Sequence, residues 1–172
     1  MSFKIYLDMD GVLSNFEKEY KKTFGESPNN VERDRKDFSK NWETFCVDRH
    51  FENLEWFEGA DIILGFVKHL MKNDSKVSVE ILTSTGGEKF HDTVKEQKEN
   101  WLNAHGIPYK ANCVPGRKHK GEYGGAWKVL IDDTPDNITR FDNNKGYGIL
   151  HKNVVDTLNK LSDYYTLYKA QK

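Results

Sequence analysis

The chain has 172 residues, with hydrophobic residues at 37%, charged residues at 31% and a formal net charge of −1. That length suits one compact domain, or a core with a modest insertion, and the supply of Trp, Phe and Tyr is enough for a core, so disorder is not the default reading. The balance is near neutral and the basic residues are scattered, so a stable nucleic-acid partner held through phosphate contacts is not expected, and small substrates fit better.

Phe3 to Leu7 is a β-prone run that stops at Asp8-Met9-Asp10-Gly11, a strand whose C-terminal end opens into a loop. From Asn15 to about Glu58 the chain is charged and aromatic. Phe16, Tyr20 and Phe24 recur every four residues, and Phe38, Trp42 and Phe45 repeat at i, i+4 and i+7, which predicts two helices. Gly25 to Asn30 reads as the turn or loop between them. Ile62, Ile63, Phe66, Val67 and Leu70 give helical spacing over Ala60 to Met71. A strand over Val77 to Leu82 follows, with Thr83-Ser84-Thr85-Gly86-Gly87 at its end. Glu88 to Ala104 reads as a long amphipathic helix stopped by His105-Gly106. A short strand is expected within Ile107 to Val114, and a buried strand over Trp127 to Ile131 runs into Asp132-Asp133. A helix over Asp136 to Asp142, a strand over Gly146 to Leu150 and a terminal helix over Val154 to Tyr168 complete the pattern.

Strands alternating with helices predict an α/β fold, a Rossmann-like and mainly parallel sheet flanked by helices. The insertion after the first strand exceeds a normal βα connection and is expected to be a small α-helical cap. The expected boundaries are a core of residues 1–14 and 59–172 and a cap of residues 15–58. Cys46 and Cys113 lie far apart with no CxxC or His-rich partner, so reduced thiols in a cytoplasmic setting are expected rather than a disulfide or zinc site. The N-terminus shows no signal-peptide apolar region, and no run approaches the ~18 apolar residues of a membrane span. Tyr164, Tyr165 and Tyr168 either mark an interface, as in a homodimer, or cover the core.

Three predicted strands end in polar residues: Asp8 and Asp10, Thr83 and Ser84, Asp132 and Asp133. In an open parallel sheet ligands bind at the carboxyl ends of the strands, so these groups converge. Four carboxylates gathered there need a cation, and an oxygen-only set suits Mg²⁺ before Ca²⁺. A carboxylate can attack phosphorus to give an aspartyl-phosphate. Residues i and i+2 of an extended chain point the same way, so Asp8 can face the phosphate while Asp10 serves as acid and then base. Thr83 and Ser84 can donate to phosphoryl oxygens, and either Lys118 or Lys120 can hold the same charge. Each element alone has an ordinary explanation. A DxD pair is often a solvated turn, Asp132-Asp133 before Thr134-Pro135 can be a helix cap, and a single lysine is usually a surface charge. The order of carboxylates, hydroxyls, lysine and carboxylates behind successive strands lifts the functional reading.

Asp8-Met-Asp10-Gly-Val, Ile81-Leu82-Thr83-Ser84 and Leu130-Ile131-Asp132-Asp133 resemble the motifs of the haloacid dehalogenase superfamily of phosphatases. Within it, Asp10-Gly-Val-Leu-Ser-Asn-Phe16 and Gly146-Tyr-Gly-Ile-Leu-His151 resemble the 5'(3')-deoxyribonucleotidase branch and its short phage or bacterial members. The resemblance implies Asp8 as nucleophile and metal ligand. It implies Asp10 as general acid/base and as a ligand through its backbone carbonyl. Thr83 and Ser84 become phosphate ligands, and Asp133 with Asp132 completes an Mg²⁺ site. Arg117-Lys-His-Lys120-Gly-Glu-Tyr123 resembles the family's Arg-x-x-Lys-x-x-Tyr pattern, which favours Lys120 over Lys118. The family's cap supplies base and sugar contacts, for which Phe16, Trp42, Phe45 and Trp56 are the candidates, against the alternative that each only builds the cap's own core. A nucleoside monophosphate is the implied substrate; a sugar phosphate or a polynucleotide 3'-phosphate is the alternative for the same chemistry. A signalling receiver domain and a non-catalytic binding protein fit less well: the first strand carries the DxDG, and no expected acidic position is lost.

Overall fold

In the computed structural model, residues 1–28 and 36–171 are described. Five parallel strands, β1 (Phe3–Leu7), β2 (Val77–Ser84), β3 (Ala111–Val114), β4 (Lys128–Asp132) and β5 (Tyr147–Leu150), form one sheet in the order β3-β2-β1-β4-β5. Among the described residues, six α-helices accompany them: α1 (Phe16–Phe24), α2 (Lys36–Val47), α3 (Ala60–Asn73), α4 (His91–Ala104), α5 (Pro135–Asn143) and α6 (Val154–Ala170).

The alternation of side chains along a strand decides which layer each helix joins. Phe3, Ile5 and Leu7 of β1 face a core shared with Ile63 and Val67 of α3, Val94 and Trp101 of α4, and Leu161 and Tyr168 of α6. Tyr6 faces the other way, into a smaller core with Leu82, Val114, Leu130 and Phe141 of α5. The sheet is therefore covered on both faces, as a parallel sheet requires. The order in which strands join the sheet reverses between β1 and β4, which pair in parallel from Lys4↔Lys128 to Leu7↔Ile131. The crevice beyond their C-terminal ends is the topological switch point where such sheets bind ligands.

Most predicted elements form, with instructive shifts. Strand β2 runs two residues past Leu82 because Thr83 and Ser84 still pair with Cys113 and Val114. Helix α4 starts at His91 rather than Glu88, after a loop with positive φ at Gly86 and Gly87 and a Thr85 Oγ1 to His91 Nδ1 hydrogen bond of 2.8 Å. Trp127 is not a strand residue: it takes a φ of 61° and packs its ring on Tyr164 and Tyr168. Two 3-10 turns, His50–Asn53 and Arg117–Tyr123, carried no periodic signal. The turn read over Gly25 to Asn30 lies partly outside the described residues. Among those described, no helix is long and apolar enough to cross a membrane.

Between β1 and α3, the two predicted aromatic helices form and pack on each other. Phe45, fully buried, sits against Phe16 at 5.2 Å, Tyr20 at 5.8 Å and Phe51 at 4.9 Å between ring centroids. This segment is fastened to α4. Buried Gln97 donates through Nε2 to the Cys46 carbonyl (2.6 Å) and accepts the Phe51 N–H at Oε1 (3.2 Å). At the other end of the chain, Tyr164, Tyr165 and Tyr168 surround Phe3, with centroids 5.9, 5.3 and 5.1 Å away.

Candidate active site

The loop after β1 folds back on one carbonyl. Met9 O accepts the N–H groups of Val12, Leu13 and Ser14 at 3.1, 2.8 and 2.9 Å. Gly11 at its apex has a φ of 79°, a region closed to most side chains. The turn leaves Asp8 and Asp10 on the wall of a cavity of roughly 850 Å³ that also touches Ser84, Lys120, Asp133 and Asn137.

One buried cation organises the switch point. Lys120 Nζ lies 2.8 Å from Asp8 Oδ1 and 2.7 Å from Asp132 Oδ2. Burial alone would lower its pKa; Asp8 and Asp132 overcome that and hold the ammonium above its usual range. Asp132 is fixed further by the Thr134 N–H (2.9 Å) and by Asn137 Nδ2, which is 3.0 Å from each carboxylate oxygen. Met9 N–H donates to Asp8 Oδ1 at 2.8 Å, the same oxygen that meets Lys120.

Acidity there is strained by confinement. Burial raises the Asp8 carboxyl to about 7, with Lys120 opposing and Asp132, Asp133 and Asp10 adding to the rise. Desolvation and neighbouring Asp132 raise Asp133 to about 6, although its carboxylate stays open to solvent. Carboxylates that resist joint ionisation are the electrostatic mark of a cation site. Asp8, Asp132 and Asp133 can each offer one oxygen within 4.8 Å of the others, an all-oxygen set that fits a hard divalent ion such as Mg²⁺.

The side chain of Asp10 is engaged elsewhere. Its Oδ1 accepts from Ser14 Oγ (3.2 Å), and its Oδ2 from Lys98 Nζ (2.7 Å), which also donates to Thr83 Oγ1 (2.8 Å). Thr83 is fully buried behind the cavity wall, so Ser84 is the hydroxyl of this pair that lines the cavity. Lys118 is exposed and does not line the cavity, whereas Arg117 does.

Of the proposed aromatic contacts, Phe16 and Trp42 line the cavity, joined by Phe38, Phe51 and Phe57. Phe38 and Trp42 stack at 6.5 Å with an interplanar angle of 13°. Phe45 does not reach the cavity; it is the centre of the aromatic cluster described above. Trp56 packs away from it, on Trp101 (5.2 Å) and His105 (4.8 Å).

Lys98 and Asn137 were missed in the sequence, though a signal existed. Val94, Gln97, Lys98 and Trp101 occupy one helical stripe and are all fully buried, and Asn137 shares a stripe with buried Phe141. A polar residue in the apolar stripe of a helix is the sign to look for.

Comparison with known proteins agrees with the fold. Two Streptococcus pneumoniae structures share the fold. One is a haloacid dehalogenase-like family hydrolase, with TM-score 0.55 and 13% identity over 92% of this chain and 90% of that one. The other is a hydrolase of strain TIGR4, with TM-score 0.51 and 14% identity over 95% and 100%. A curated Chlorobaculum tepidum protein named "Putative 5'(3')-deoxyribonucleotidase" is 33% identical over 88 residues, 50% of this chain and 42% of that protein. The match thus spans less than half the length of that relative. The family model for 5' nucleotidase, deoxy (pyrimidine), cytosolic type C protein matches residues 2–160, and the chain belongs to that family.

Proposed function

We propose that the chain is a magnesium-dependent phosphomonoesterase that hydrolyses nucleoside monophosphates through an aspartyl-phosphate on Asp8. The observation that carries this reading is the Lys120 ammonium, buried between Asp8 and Asp132 on the wall of an aromatic-lined cavity. Asp8 and Asp133, with Asp132 and the Asp10 backbone carbonyl, are the proposed Mg²⁺ ligands. An ion held by these residues would supply charge neutralisation to a phosphoryl group.

Both contacts to the Asp8 carboxylate fall on Oδ1, which leaves Oδ2 to attack phosphorus. As that bond forms, the bond from phosphorus to the ester oxygen breaks, and Asp10 gives the leaving oxygen a proton. In the second half Asp10 takes a proton from water as it attacks the phosphoryl group. The acyl-phosphate P–O bond breaks, inorganic phosphate departs and Asp8 is restored. Ser84 and Lys120 hold the phosphoryl oxygens, and Thr83 supports the strand end from behind.

Residues 15–58 act as a cap over a core of 1–14 and 59–172. Phe16, Trp42, Phe38 and Phe51 present flat apolar faces suited to a nucleobase, which favours a nucleotide over a sugar phosphate. Phe45 and Trp56 serve to hold the cap together and against α4. The family description is of a cytosolic protein. We place this chain in the cytoplasm, consistent with two free cysteines, one of them Cys46, whose thiol burial pushes up to about 12.

The test is phosphate release from 5'- and 3'-nucleoside monophosphates and from sugar phosphates, with Mg²⁺ and with EDTA. Selective release from nucleotides, abolished by EDTA and by Asp8→Asn, is expected. Full activity in Asp8→Asn sinks the covalent route, and release from sugar phosphates alone sinks the substrate.

A further inference from the structure

Lys98 is a lysine with no surface: it is 0% exposed, on a helix that packs into the main core. An ammonium has three hydrogens to place and accepts nothing. The structure provides three receivers: Asp10 Oδ2 at 2.7 Å, Thr83 Oγ1 at 2.8 Å and the face of Phe51, whose centroid is 5.0 Å away. The first belongs to the loop after β1, the second to β2 and the third to the cavity wall. Burying an ammonium is costly unless it is paired and hydrogen-bonded, and a Leu or Met would fill an apolar stripe without that cost. Its neighbour Gln97 clamps α4 to the Cys46 carbonyl and the Phe51 N–H, so the backbone that carries Lys98 is itself held.

We propose that Lys98 is a positioning residue for Asp10: it pins the carboxylate by Oδ2 and so assigns proton transfer to Oδ1. An oxygen that receives an ammonium hydrogen at 2.7 Å cannot direct a proton of its own along that line, because the partner has no lone pair. Among the described residues, Oδ1 meets only the Ser14 hydroxyl, at 3.2 Å, a rotor that can turn away. The pin also ties the acid to β2, the strand whose end carries Ser84, and so keeps it in register with the phosphate. This role rests on the proposed phosphatase chemistry, in which Asp10 protonates the leaving oxygen.

The leaving group provides the test. A nucleoside alkoxide needs the proton; p-nitrophenolate departs without it. In Lys98→Met, release of phosphate from a nucleoside monophosphate should fall about 100-fold, the low end of a general acid's contribution. First-turnover release of p-nitrophenolate from p-nitrophenyl phosphate should stay within about threefold of wild type, a difference too small to reflect loss of that contribution. Lys98→Arg, which keeps a charge in the buried site, should show the same selectivity with a smaller fall, and it carries the test if Lys98→Met does not fold. Equal losses on both substrates would make Lys98 a structural residue and overturn the proposal, as would no loss on either. A wild-type protein inert towards both substrates would instead overturn the phosphatase reading, and the role of Lys98 with it.

Discussion

Gly11 and the Asp133 carboxylate compete for one small volume: a Cβ built on Gly11 would lie 2.1 Å from Asp133 Oδ2. The positive φ of 79° adds a second barrier, since a left-handed conformation costs an ordinary residue roughly 1–2 kcal/mol. Gly11→Ala must therefore push Asp133 out of the carboxylate cluster. We expect Mg²⁺ affinity, read from the melting temperature during an Mg²⁺ titration, to fall about 10- to 100-fold, as when a metal site's supporting contacts are lost. Wild-type affinity in this variant would place Asp133 outside the metal site.

The Asp8 and Asp133 carboxyls should contribute a pH dependence of stability opposite in sign to that of ordinary paired carboxylates. Asp8 at about 7 and Asp133 at about 6 lie above the ordinary 3.8, chiefly because of desolvation. Between about pH 4 and pH 7 the folded state then binds more protons than the unfolded one, so stability falls as pH rises through that window. Metal-free protein should melt higher near pH 5 than near pH 8, and Mg²⁺ should raise the melting temperature more near pH 8. Asp8→Asn should flatten the profile. A metal-free melting temperature that climbs from pH 5 to pH 8 would refute the assignment.

Gln97 joins α4 to the segment that follows β1. Its removal in Gln97→Ala leaves the Cys46 carbonyl and the Phe51 N–H without their buried partner. At about 1–3 kcal/mol for each of the two orphaned groups, urea denaturation should show a loss of roughly 2–6 kcal/mol. A change within about 0.5 kcal/mol, the ordinary range for surface substitutions, would mean that water replaces the amide there.

Trp42 and Phe45 lie three residues apart on α2 and should separate binding from stability. Phe45, 0% exposed and central to the aromatic cluster, should cost about 3–5 kcal/mol of stability as alanine, with nucleotide KM near wild type. Trp42→Ala should raise nucleotide KM about tenfold, the scale of one lost aromatic stacking contact. Steady-state kinetics beside thermal melting would distinguish the two, and a reversed pattern would move the base site off α2.

The strand ends were legible because three apolar runs stop at carboxylates, hydroxyls and carboxylates in turn, a conjunction that no single turn or cap explains. Asp8, Ser84, Lys120, Asp132 and Asp133 came from that rule together with the family resemblance. Lys98 was harder to read: a lysine in an amphipathic helix is first taken as solvent-facing, and only its place in the stripe of Val94 and Trp101, all buried, points inward. Phe45 and Trp42 share one helical stripe, so periodicity marked both as buried but could not separate cluster centre from cavity wall. The start of α4 was misplaced because Glu88 is a good helix former, whereas the glycines before it and the Thr85–His91 hydrogen bond set the boundary. Trp127 was misread for a related reason, since aromatic residues favour strands until a positive φ removes them.

Strand β1 has a further consequence for how the chain is made. Its partners are residues 77–81 on one side and 128–131 on the other. Phe3 waits for Tyr164, Tyr165 and Tyr168, and the Tyr168 hydroxyl reaches back 2.9 Å to the Met1 carbonyl. Synthesis must run from this strand past residues 128–131 before its second edge is paired, and past Leu161 and Tyr168 before its apolar face is covered. The segment bearing Asp8 is thus made before every element that pairs with it or covers it, and is sheltered only after them. A lesion in α6, far from the cavity in sequence, would be felt as misfolding of the strand that positions Asp8.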